Sequence, residues 1–211
     1  MKVLNLYACL GGNRLLWEDC EVTAVELDPE LARMYQERFP NDKLIVGDAH
    51  QYLLDHYKEF DFIWTSPPCP THSKMVKATK HEINVYPDMK LYQEIIFLKH
   101  FFKGKWVVEN VKSYYKPLIH PYKSSRHYYW SNFLITNCDL PKIKDMSRAT
   151  RKQMADYLGF NYPGPNIYIK GNHDPAQVLR NCIHPKEGLH IFNLAKGIYK
   201  ANNANQTSLE L

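Results

Sequence analysis

The sequence contains no apolar run that approaches the roughly 20 residues a helix needs to cross a bilayer. Its first residues, Met1–Leu6, enter a short apolar segment directly, without the longer apolar core and small-residue cleavage site of a secretory signal peptide. We therefore expect neither a membrane protein nor a secreted one, and we predict a cytoplasmic location.

Paired cysteines are also missing. With 211 residues, the chain has the length of one domain with a small appendage, and its net charge of +5 is compatible with a polyanionic partner without requiring one. An odd number of scattered cysteines without a Cys-x-x-Cys pair argues against a disulfide framework and a zinc site, and favours a reducing compartment. The cysteines are Cys9, Cys20, Cys69, Cys138 and Cys182.

Short runs of β-branched and aromatic residues recur along the chain, and amphipathic helical patterns lie between several of them. Asp28, for example, is a suitable N-cap for a helix whose first residue is Pro29. Strands that alternate with helices predict an α/β fold with a doubly wound, mostly parallel sheet. The predicted strands are Val3–Ala8, Val22–Leu27, Leu44–Val46, Phe60–Thr65, Trp106–Val111 and His127–Thr136, and the predicted helices are Pro29–Phe39, Met89–Phe102, Arg148–Leu158 and Gly188–Tyr199.

Residues suited to ligand binding follow four of these strands. The first strand runs into a Gly-Gly turn, Glu26 ends the second, Asp48 follows the third, and Ser66–Cys69 follows the fourth. In parallel α/β sheets, ligands bind at the carboxyl ends of the strands, where glycine admits a ligand close to the backbone and a carboxylate accepts hydrogen bonds from ribose hydroxyls. The alternative for Glu26 and Asp48 is that each is a solvated helix N-cap.

Three prolines surround Cys69 in the segment Pro67-Pro68-Cys69-Pro70. Proline fixes the backbone and removes amide donors, so these residues hold the cysteine rigidly at the end of a strand. A single cysteine is usually a small buried hydrophobe. A cysteine locked among prolines beside a ligand site is more typical of a catalytic nucleophile.

Two further segments carry ionisable side chains at strand ends. Three apolar residues, Trp106–Val108, run into Glu109-Asn110-Val111, and Arg126 opens an aromatic strand. The ordinary interpretation is a strand that reaches solvent and a surface arginine. The functional interpretation is a carboxylate that hydrogen-bonds or protonates a ring nitrogen.

In their order along the chain, these segments resemble the cytosine-5 DNA methyltransferases. Pro67-Pro68-Cys69 is similar to the catalytic Pro-Cys of that family, and Glu109-Asn110-Val111 matches its Glu-Asn-Val signature. Arg126 resembles one arginine of the family's Gln-x-Arg-x-Arg strand. The resemblance covers most of residues 3–136 and resumes near residues 177–198, and it is supported by the similar segments Leu4–Gly12, Ala24–Pro29, Gly47-Asp48, Asp88–Ile95 and Leu179–Pro185.

The resemblance implies a Rossmann-like, S-adenosylmethionine-dependent enzyme that methylates carbon 5 of a cytosine flipped out of duplex DNA. Cys69 adds to carbon 6 of the ring, Glu109 contacts N3 and the exocyclic amine, and Arg126 holds O2. These three are the implied catalytic residues. The implied cofactor-binding residues are Tyr7, Ala8, Cys9, Gly11, Gly12, Asn13, Glu26, Leu27, Asp48, Ala49, Ser66, Pro67 and Asn181, and the implied substrate-binding residues are Pro68, Ser73, Asn110 and Val111.

The chain departs from the family pattern in several places. Pro70 replaces the usual glutamine, Arg180 stands where glycine is usual, and only one of the two expected arginines is present. The target-recognition insertion is very short, which resembles phage-type members and leaves room for a partner subunit that supplies specificity. We predict three parts: a catalytic and cofactor-binding core over residues 1–136, a reduced recognition insertion over residues 137–172, and a returning segment over residues 173–211.

Three other functions are compatible with parts of the pattern. Methyltransferases that act on exocyclic amines use Ser-Pro-Pro-Tyr or Asn-Pro-Pro-Tyr, from which Ser66–Cys69 differs at its last position, and their chemistry gives Glu109 no role. An RNA cytosine methyltransferase is the second alternative, since one branch of the family modifies transfer RNA. A non-catalytic DNA-binding module is the third, although both the cysteine and the glutamate are present.

Overall fold

The computed structural model describes residues 1–74, 85–160 and 174–198. Their sheet has strands β1 (Lys2–Leu6), β2 (Glu21–Glu26), β3 (Lys43–Val46), β4 (Phe62–Thr65), β5 (Lys105–Val111), β6 (Tyr122–Ser124) and β7 (His127–Ser131). Their order across the sheet is β3-β2-β1-β4-β5-β7-β6. Strands β1 to β5 are parallel, and β7 is antiparallel to both of its neighbours. The predicted α/β fold with a mostly parallel sheet is confirmed.

One edge of this sheet collects the segments that carry chemistry. The carboxyl ends of β1 to β5 all reach it because these strands are parallel. Strand β7 begins at the same edge, since its first residue, His127, pairs with Val111 at the end of β5. The loops after β1 and β4, the end of β5 and the residue before β7 therefore meet in space.

The described residues contain the helices α1 (Pro29–Arg38), α2 (Ala49–His56), α3 (Lys90–Phe101), α4 (Arg151–Leu158), α5 (Gln177–Arg180) and α6 (Pro185–Ala195). Caps set several of their starts. Asp28 caps α1 as predicted. Thr150 forms a capping box with Gln153, so α4 starts three residues later than predicted. His184 caps α6 and Pro185 occupies its first turn, so α6 starts three residues earlier than predicted.

Other elements also differ from the sequence prediction. Helices α2 and α5 and the short strand β6 were not predicted, β7 ends at Ser131 instead of continuing to Thr136, and α6 ends at Ala195 instead of Tyr199. Strand β7 stops because the chain turns at Asn132, whose side chain accepts from the Trp106 amide and donates to the Gly104 carbonyl. The predicted polar end from Lys200 onward lies outside the described residues.

The two faces of the sheet are covered by different helices. On one face, α6 and Trp17 pack against side chains such as Phe62, Trp64 and Tyr129. On the other, α2 and α3 pack against residues such as Leu6, Ile63 and Val108. Because side chains alternate along a strand, Glu109 points to the α6 face and its neighbour Asn110 points to the α3 face.

The described part of the predicted recognition insertion packs directly on the core. Met154 and Leu158 of α4 share a buried cluster with Val178 of α5, Leu10 after β1 and Leu31 of α1. The guanidinium of Arg38 in α1 also stacks 4.3 Å from the ring centre of Phe160. The insertion therefore contacts the loop that follows β1. Residues 161–173 lie outside the described part, so the predicted division of the chain at residues 136 and 172 stays a prediction.

Among the residues that the structure describes, no helix combines the length and apolar character needed to span a membrane. The same residues contain no group of three or more histidine, cysteine or acidic side chains arranged to hold a metal ion.

Candidate active site

The loop after β1 has a strained backbone. Tyr7 and Cys9 adopt positive φ angles of 57° and 48°, which non-glycine residues rarely do. Such residues cost about 1–3 kcal/mol each and persist where surrounding contacts hold them. Here the Ala8 amide donates to the Val25 carbonyl at 3.0 Å, and the Cys9 amide donates to the Glu26 carboxylate at 2.8 Å. The end of β2 thus fixes the shape of the loop after β1.

The two glycines of this loop are required by packing within the protein. A Cβ on Gly11 would lie 2.3 Å from the Phe39 ring, and one on Gly12 would lie 2.4 Å from the Ile183 carbonyl. Asn13, also predicted to contact the cofactor, is buried and donates from Nδ2 to Asn5 Oδ1 at 2.7 Å. These glycines therefore let the loop pack closely against the end of α1 and the segment before α6. Their predicted role in binding a ligand stays a prediction.

Glu26 is buried and does not cap a helix, since Asp28 does so. Its Oε2 accepts from the Cys9 amide at 2.8 Å, and its Oε1 accepts from the Asp28 amide at 3.0 Å. The following residue, Leu27, is 62% exposed at the same edge. A buried carboxylate beside an exposed apolar side chain can present an acceptor and a nonpolar surface to one ligand.

Asp48 occupies the capping position that the alternative interpretation predicted. Its Oδ1 accepts from the His50 amide at 2.8 Å and from the Gln51 amide at 3.2 Å, at the start of α2. The side chain is exposed and Ala49 beside it is buried. The second oxygen of Asp48 leaves acceptor capacity at this edge, so the predicted adenine contact is compatible with capping and stays a prediction.

Sequence reasoning missed Glu94, a fully buried glutamate of α3. Its Oε1 accepts from the Tyr7 hydroxyl at 2.6 Å and lies 3.0 Å from His50 Nδ1, while its Oε2 accepts from the Thr65 hydroxyl at 2.6 Å. The hydrogen bond to Glu94 raises the pKa of His50, and burial followed by the charge of Glu94 raises that of Tyr7. This carboxylate joins the ends of β1 and β4 to α2 and α3.

The cysteine loop after β4 is held from both sides. Asn110 Nδ2 donates to the Pro67 carbonyl at 2.9 Å, and its Oδ1 accepts from the Val111 amide. After the cysteine, the carbonyl of Cys69 accepts from the amides of His72 and Ser73 at 3.0 and 3.1 Å. Asn110 is buried and bonded to the loop itself, so its side chain orients the cysteine. The Pro68 ring is exposed at the tip of the loop.

Cys69, Glu109 and Arg126 act on one another electrostatically at this edge. The pKa of the Cys69 thiol is raised to about 11, mainly by burial and then by the charge of Glu109, while Arg126 opposes the shift. Burial also raises the pKa of Glu109, against the opposing influence of His127, a hydrogen bond with Ser66, and Arg126. The structure thus brings together the three residues that the sequence proposed as catalytic, although they come from three separate segments.

Arg126 is anchored by the segment between α5 and α6. Its Nη2 donates to the carbonyls of Arg180 and Cys182, and its Nη1 contacts the sulfur of Met146. Arg180, the residue that departs from the family pattern, donates to the Ala149 carbonyl and pairs with Asp174. These bonds tie the returning segment to the recognition insertion.

Two residues predicted at the margin of the site have different positions. Asn181 is exposed at the end of α5, where its Oδ1 accepts from Gln177 Nε2 at 2.8 Å. Ser73 is half-buried, forms an isolated bridge with Ser113, and lies beside the cysteine, since its amide donates to the Cys69 carbonyl. Their roles toward cofactor and substrate stay predictions.

Comparison with known proteins agrees with this architecture. Among the solved structures that share the fold is a DNMT2 mutant from Spodoptera frugiperda, which is 15% identical with a TM-score of 0.58 and matches over 92% of this chain and 99% of its own. Another is the methyltransferase EhMeth from Entamoeba histolytica, which is 10% identical with a TM-score of 0.52 and matches over 95% of this chain and 99% of its own. No curated protein matches the chain significantly.

The sequence itself matches a known family over more than half of its length. The family described as C-5 cytosine-specific DNA methylase matches residues 1–125, a segment that includes β1 to β5, Cys69 and Glu109. Together with the methyltransferase fold, this match shows that the chain belongs to the C-5 cytosine-specific DNA methylase family.

Proposed function

We propose that this protein transfers a methyl group from S-adenosylmethionine to carbon 5 of cytosine in DNA, with Cys69 as a covalent nucleophile. The observation that carries the proposal is the convergence of Cys69, Glu109 and Arg126 at the carboxyl edge of the sheet, with mutual effects on their ionisation. A thiol, a carboxyl group and a guanidinium are the groups needed to attack a pyrimidine ring, protonate its nitrogen and hold its carbonyl oxygen.

The residues at the ends of β1 to β3 fit S-adenosylmethionine. Glu26 offers carboxylate oxygens to ribose hydroxyls, Asp48 offers an acceptor to an adenine amine, and the exposed Leu27 and Val46 offer nonpolar surface to a ring. When bound, the cofactor supplies an electrophilic methyl group on a sulfonium. The proposed task of this chain is to hold that group beside the cysteine loop.

Carbon 5 of cytosine is too weak a nucleophile to take the methyl group unaided. In the proposed mechanism, the Cys69 thiolate forms a bond to carbon 6, Glu109 gives a proton to N3, and the electron pair of the 5,6 double bond becomes available at carbon 5. After methylation, carbon 5 loses its proton to a base, and the bond between sulfur and carbon 6 breaks as the double bond is restored. N3 returns its proton to Glu109, and Cys69 leaves as a thiolate.

The electrostatics of the site favour a coupled order of events. An ionised Glu109 opposes ionisation of Cys69, whereas a neutral Glu109 removes that opposition and still carries the proton that N3 requires. The raised pKa of Glu109 favours its neutral form. We therefore propose that the enzyme reacts from a state with a protonated glutamate and that Arg126 provides the positive potential beside the thiol.

DNA is the proposed partner, with the target cytosine flipped out of the duplex, because the matching family is described as a DNA methylase. The net charge of +5 and the exposed Lys142, Lys144 and Arg148 of the insertion support phosphate contacts. The short insertion supplies few side chains for base readout, so we propose short or relaxed recognition, or a partner subunit that adds specificity. We also propose a cytoplasmic location.

The decisive experiment incubates the protein with labelled S-adenosylmethionine and either duplex DNA or transfer RNA, followed by nucleoside analysis. We expect labelled 5-methyldeoxycytidine from DNA. Methylated RNA alone would favour the RNA alternative, and a methylated exocyclic amine would exclude the cysteine mechanism. Bisulfite sequencing of methylated plasmid then reads the recognition sequence, and a long, strict sequence in the isolated protein would contradict the proposed relaxed recognition.

The covalent step has its own test. DNA that contains 5-fluorocytosine should trap a stable adduct on Cys69, because fluorine cannot leave carbon 5 as a proton does. Cys69→Ser should form no adduct and have no turnover, while it still binds the cofactor. Cys20→Ser is a matched control, since Cys20 is another half-buried cysteine that lies near Arg14 and Asp42, away from the site. An adduct in the Cys69→Ser protein would refute the assignment.

A further inference from the structure

A second set of buried ionisable groups lies behind Glu109 on the α6 face of the sheet. His127 of β7 stands between two carboxylates: its Nε2 lies 3.7 Å from Glu109 Oε1, and its Nδ1 lies 3.7 Å from Glu187 Oε2. Glu187 is fully buried, and Glu109 and His127 are 7% and 4% exposed. Tyr129, opposite Glu109 in the strand pair, faces the same group.

These side chains are poorly satisfied by ordinary hydrogen bonds. Within the described residues, His127 Nδ1, the Tyr129 hydroxyl and both oxygens of Glu187 are buried without a hydrogen-bond partner. Separations of 3.7 Å are too long for hydrogen bonds but short for charge interactions, which are strong where water is excluded. Burial of so many polar atoms is costly, so their retention beside a catalytic carboxylate requires a function.

Charge balance indicates where the protons lie. A protonated His127 between one ionised and one neutral carboxylate leaves the set uncharged, which burial favours. Glu187 lies in the first turn of α6, where the positive end of the helix dipole stabilises an anion. Glu109 lies at the end of a strand and has no such support. The geometry therefore suits a negative charge on Glu187, a positive charge on His127 and a proton on Glu109.

We infer that His127 and Glu187 are positioning residues that stabilise the carboxylate formed on Glu109 when its proton moves to N3 of cytosine. The inference rests on the proposed acid role of Glu109. As the proton leaves Glu109, negative charge develops next to the Nε2–H of His127. Glu187 keeps its own negative charge throughout and holds His127 in the protonated form, much as a buried acid orients and charges a histidine in a catalytic triad.

Other groups also influence this set and must be included in the interpretation. Burial raises the pKa of Tyr129, followed by the charges of Glu187 and Glu109, and Arg126 opposes the shift. The ionisable groups that face Glu109, His127 or Glu187 from the packed elements are Cys69 after β4, Arg126 and Tyr129 of the β7 segment, Cys138 after it, Tyr157 of α4, and His184 at the start of α6.

The test measures the single-turnover rate of methyl transfer to DNA as a function of pH for the full chain and its variants. The rate should fall at high pH as Glu109 loses its proton. His127→Gln removes a positive charge, so this alkaline limb should move to higher pH. Glu187→Gln removes a negative charge, so the limb should move to lower pH. We expect shifts of about one pH unit in these opposite directions, and about a tenfold lower maximal rate in each variant.

A purely structural role predicts a different result. It would lower the rate in both variants without opposite displacements of the alkaline limb, and that outcome would overturn the inference. His190→Gln is the matched control, because His190 lies on α6 and contacts Thr136 instead of the buried set. Its pH profile should coincide with that of the unmodified protein, and a displacement as large as that of His127→Gln would also overturn the inference.

Two further measurements distinguish a failure of this inference from misfolding of a variant and from a failure of the proposed function. If a glutamine variant does not fold, Tyr129→Phe replaces it. The Tyr129 hydroxyl faces Glu187, and its loss removes a dipole that favours negative charge on that carboxylate. The limb should then move to lower pH, and an unmoved limb in the folded variant overturns the inference. If the unmodified protein does not methylate cytosine, the proposed function fails. If the unmodified protein methylates cytosine and Glu109→Gln is inactive, the proposed function stands. Unchanged pH profiles in the His127 and Glu187 variants then refute only the roles of those two residues.

Discussion

Glu94 and Glu109 are both buried at the edge where the catalytic groups meet, yet they lie on opposite faces of the sheet and differ in their surroundings. Glu94 is 0% exposed and has three polar partners within 3.0 Å, of which two are hydroxyl donors at 2.6 Å. Glu109 is 7% exposed, has a hydrogen bond with Ser66, and has the Nε2 of His127 3.7 Å from its Oε1.

The comparison shows that burial alone does not distinguish a structural carboxylate from a reactive one. Short hydrogen bonds to Glu94 replace those that its oxygens would make to water, and they join four elements. The environment of Glu109 compensates less for burial, and the pKa of this group is raised. A carboxyl group whose pKa is raised keeps its proton to higher pH and can act as an acid toward a bound base.

The largest effect is expected for Glu109→Gln. Loss of the proton donor should lower the rate of methyl transfer about 10²- to 10⁴-fold, the usual contribution of general acid catalysis. Glutamine has nearly the same size, so cofactor affinity and folding should be retained. Single-turnover assays with saturating cofactor measure the rate. A loss of less than about tenfold would contradict the acid role and would place Glu109 with Glu94 as a structural group.

The sequence was sufficient to predict the architecture. Strands such as Phe62–Thr65 are buried on both faces, so they appear as continuous apolar runs that are easily recognised. Helix α2 was missed because its eight residues carry only a short apolar face, and β6 because it has three residues. Local sequence patterns therefore predict the long, fully buried elements but not the short ones that depend on tertiary contacts.

The candidate site could be predicted only in part, for a related reason. Cys69 among prolines and Glu109 after an apolar run each carry a local signal. Glu94 also has one, since it interrupts the apolar stripe of α3 between Leu91 and Leu98. The meeting of His127 with Glu187 has no local signal, because it arises only when α6 packs over β7, and the same packing turns the loop glycines toward the protein.

Glu94→Gln tests the same comparison from the other side, since it should lower the free energy of unfolding more than the rate of methyl transfer. Removal of the charge weakens the bonds from Tyr7 and Thr65, and hydrogen bonds to a charged group contribute about 1.5–3 kcal/mol. We expect the free energy of unfolding to fall by about 1–3 kcal/mol in denaturant titrations. The rate at saturating cofactor should be nearly unchanged at a temperature where the variant is folded. A large loss of rate in the folded variant would break the distinction between the two glutamates.

Glu26 provides an intermediate case, a buried carboxylate whose oxygens accept two backbone amides at the proposed cofactor site. Glu26→Ala should weaken binding of S-adenosylmethionine by about 1–3 kcal/mol, measured by calorimetry. Asp28→Ala is the control, because Asp28 caps α1 and is predicted to stabilise the helix without contacting the cofactor. Equal losses of affinity in the two variants would indicate that Glu26 acts only by shaping the loop.

The smallest effect concerns how the stability difference between Glu109→Gln and the unmodified protein depends on pH. The folded-state pKa of Glu109 is raised above its ordinary value of about 4.5, with burial as the main cause. Above pH 4.5 the unfolded chain therefore releases this proton while the folded protein retains it, so the unmodified protein loses stability as pH rises. Glutamine has no proton to lose.

The variant should therefore match the unmodified protein in acid and become progressively the more stable of the two as the pH rises above 4.5 toward the raised pKa. Thermal unfolding of both proteins across this range measures the difference. Glu94→Gln serves as the comparison, since its destabilisation comes from lost hydrogen bonds to an ionised group and should be present at neutral pH. A Glu109→Gln protein that is less stable at neutral pH than in acid, relative to the unmodified protein, would mean that His127 and Arg126 stabilise an ionised Glu109 in the resting enzyme.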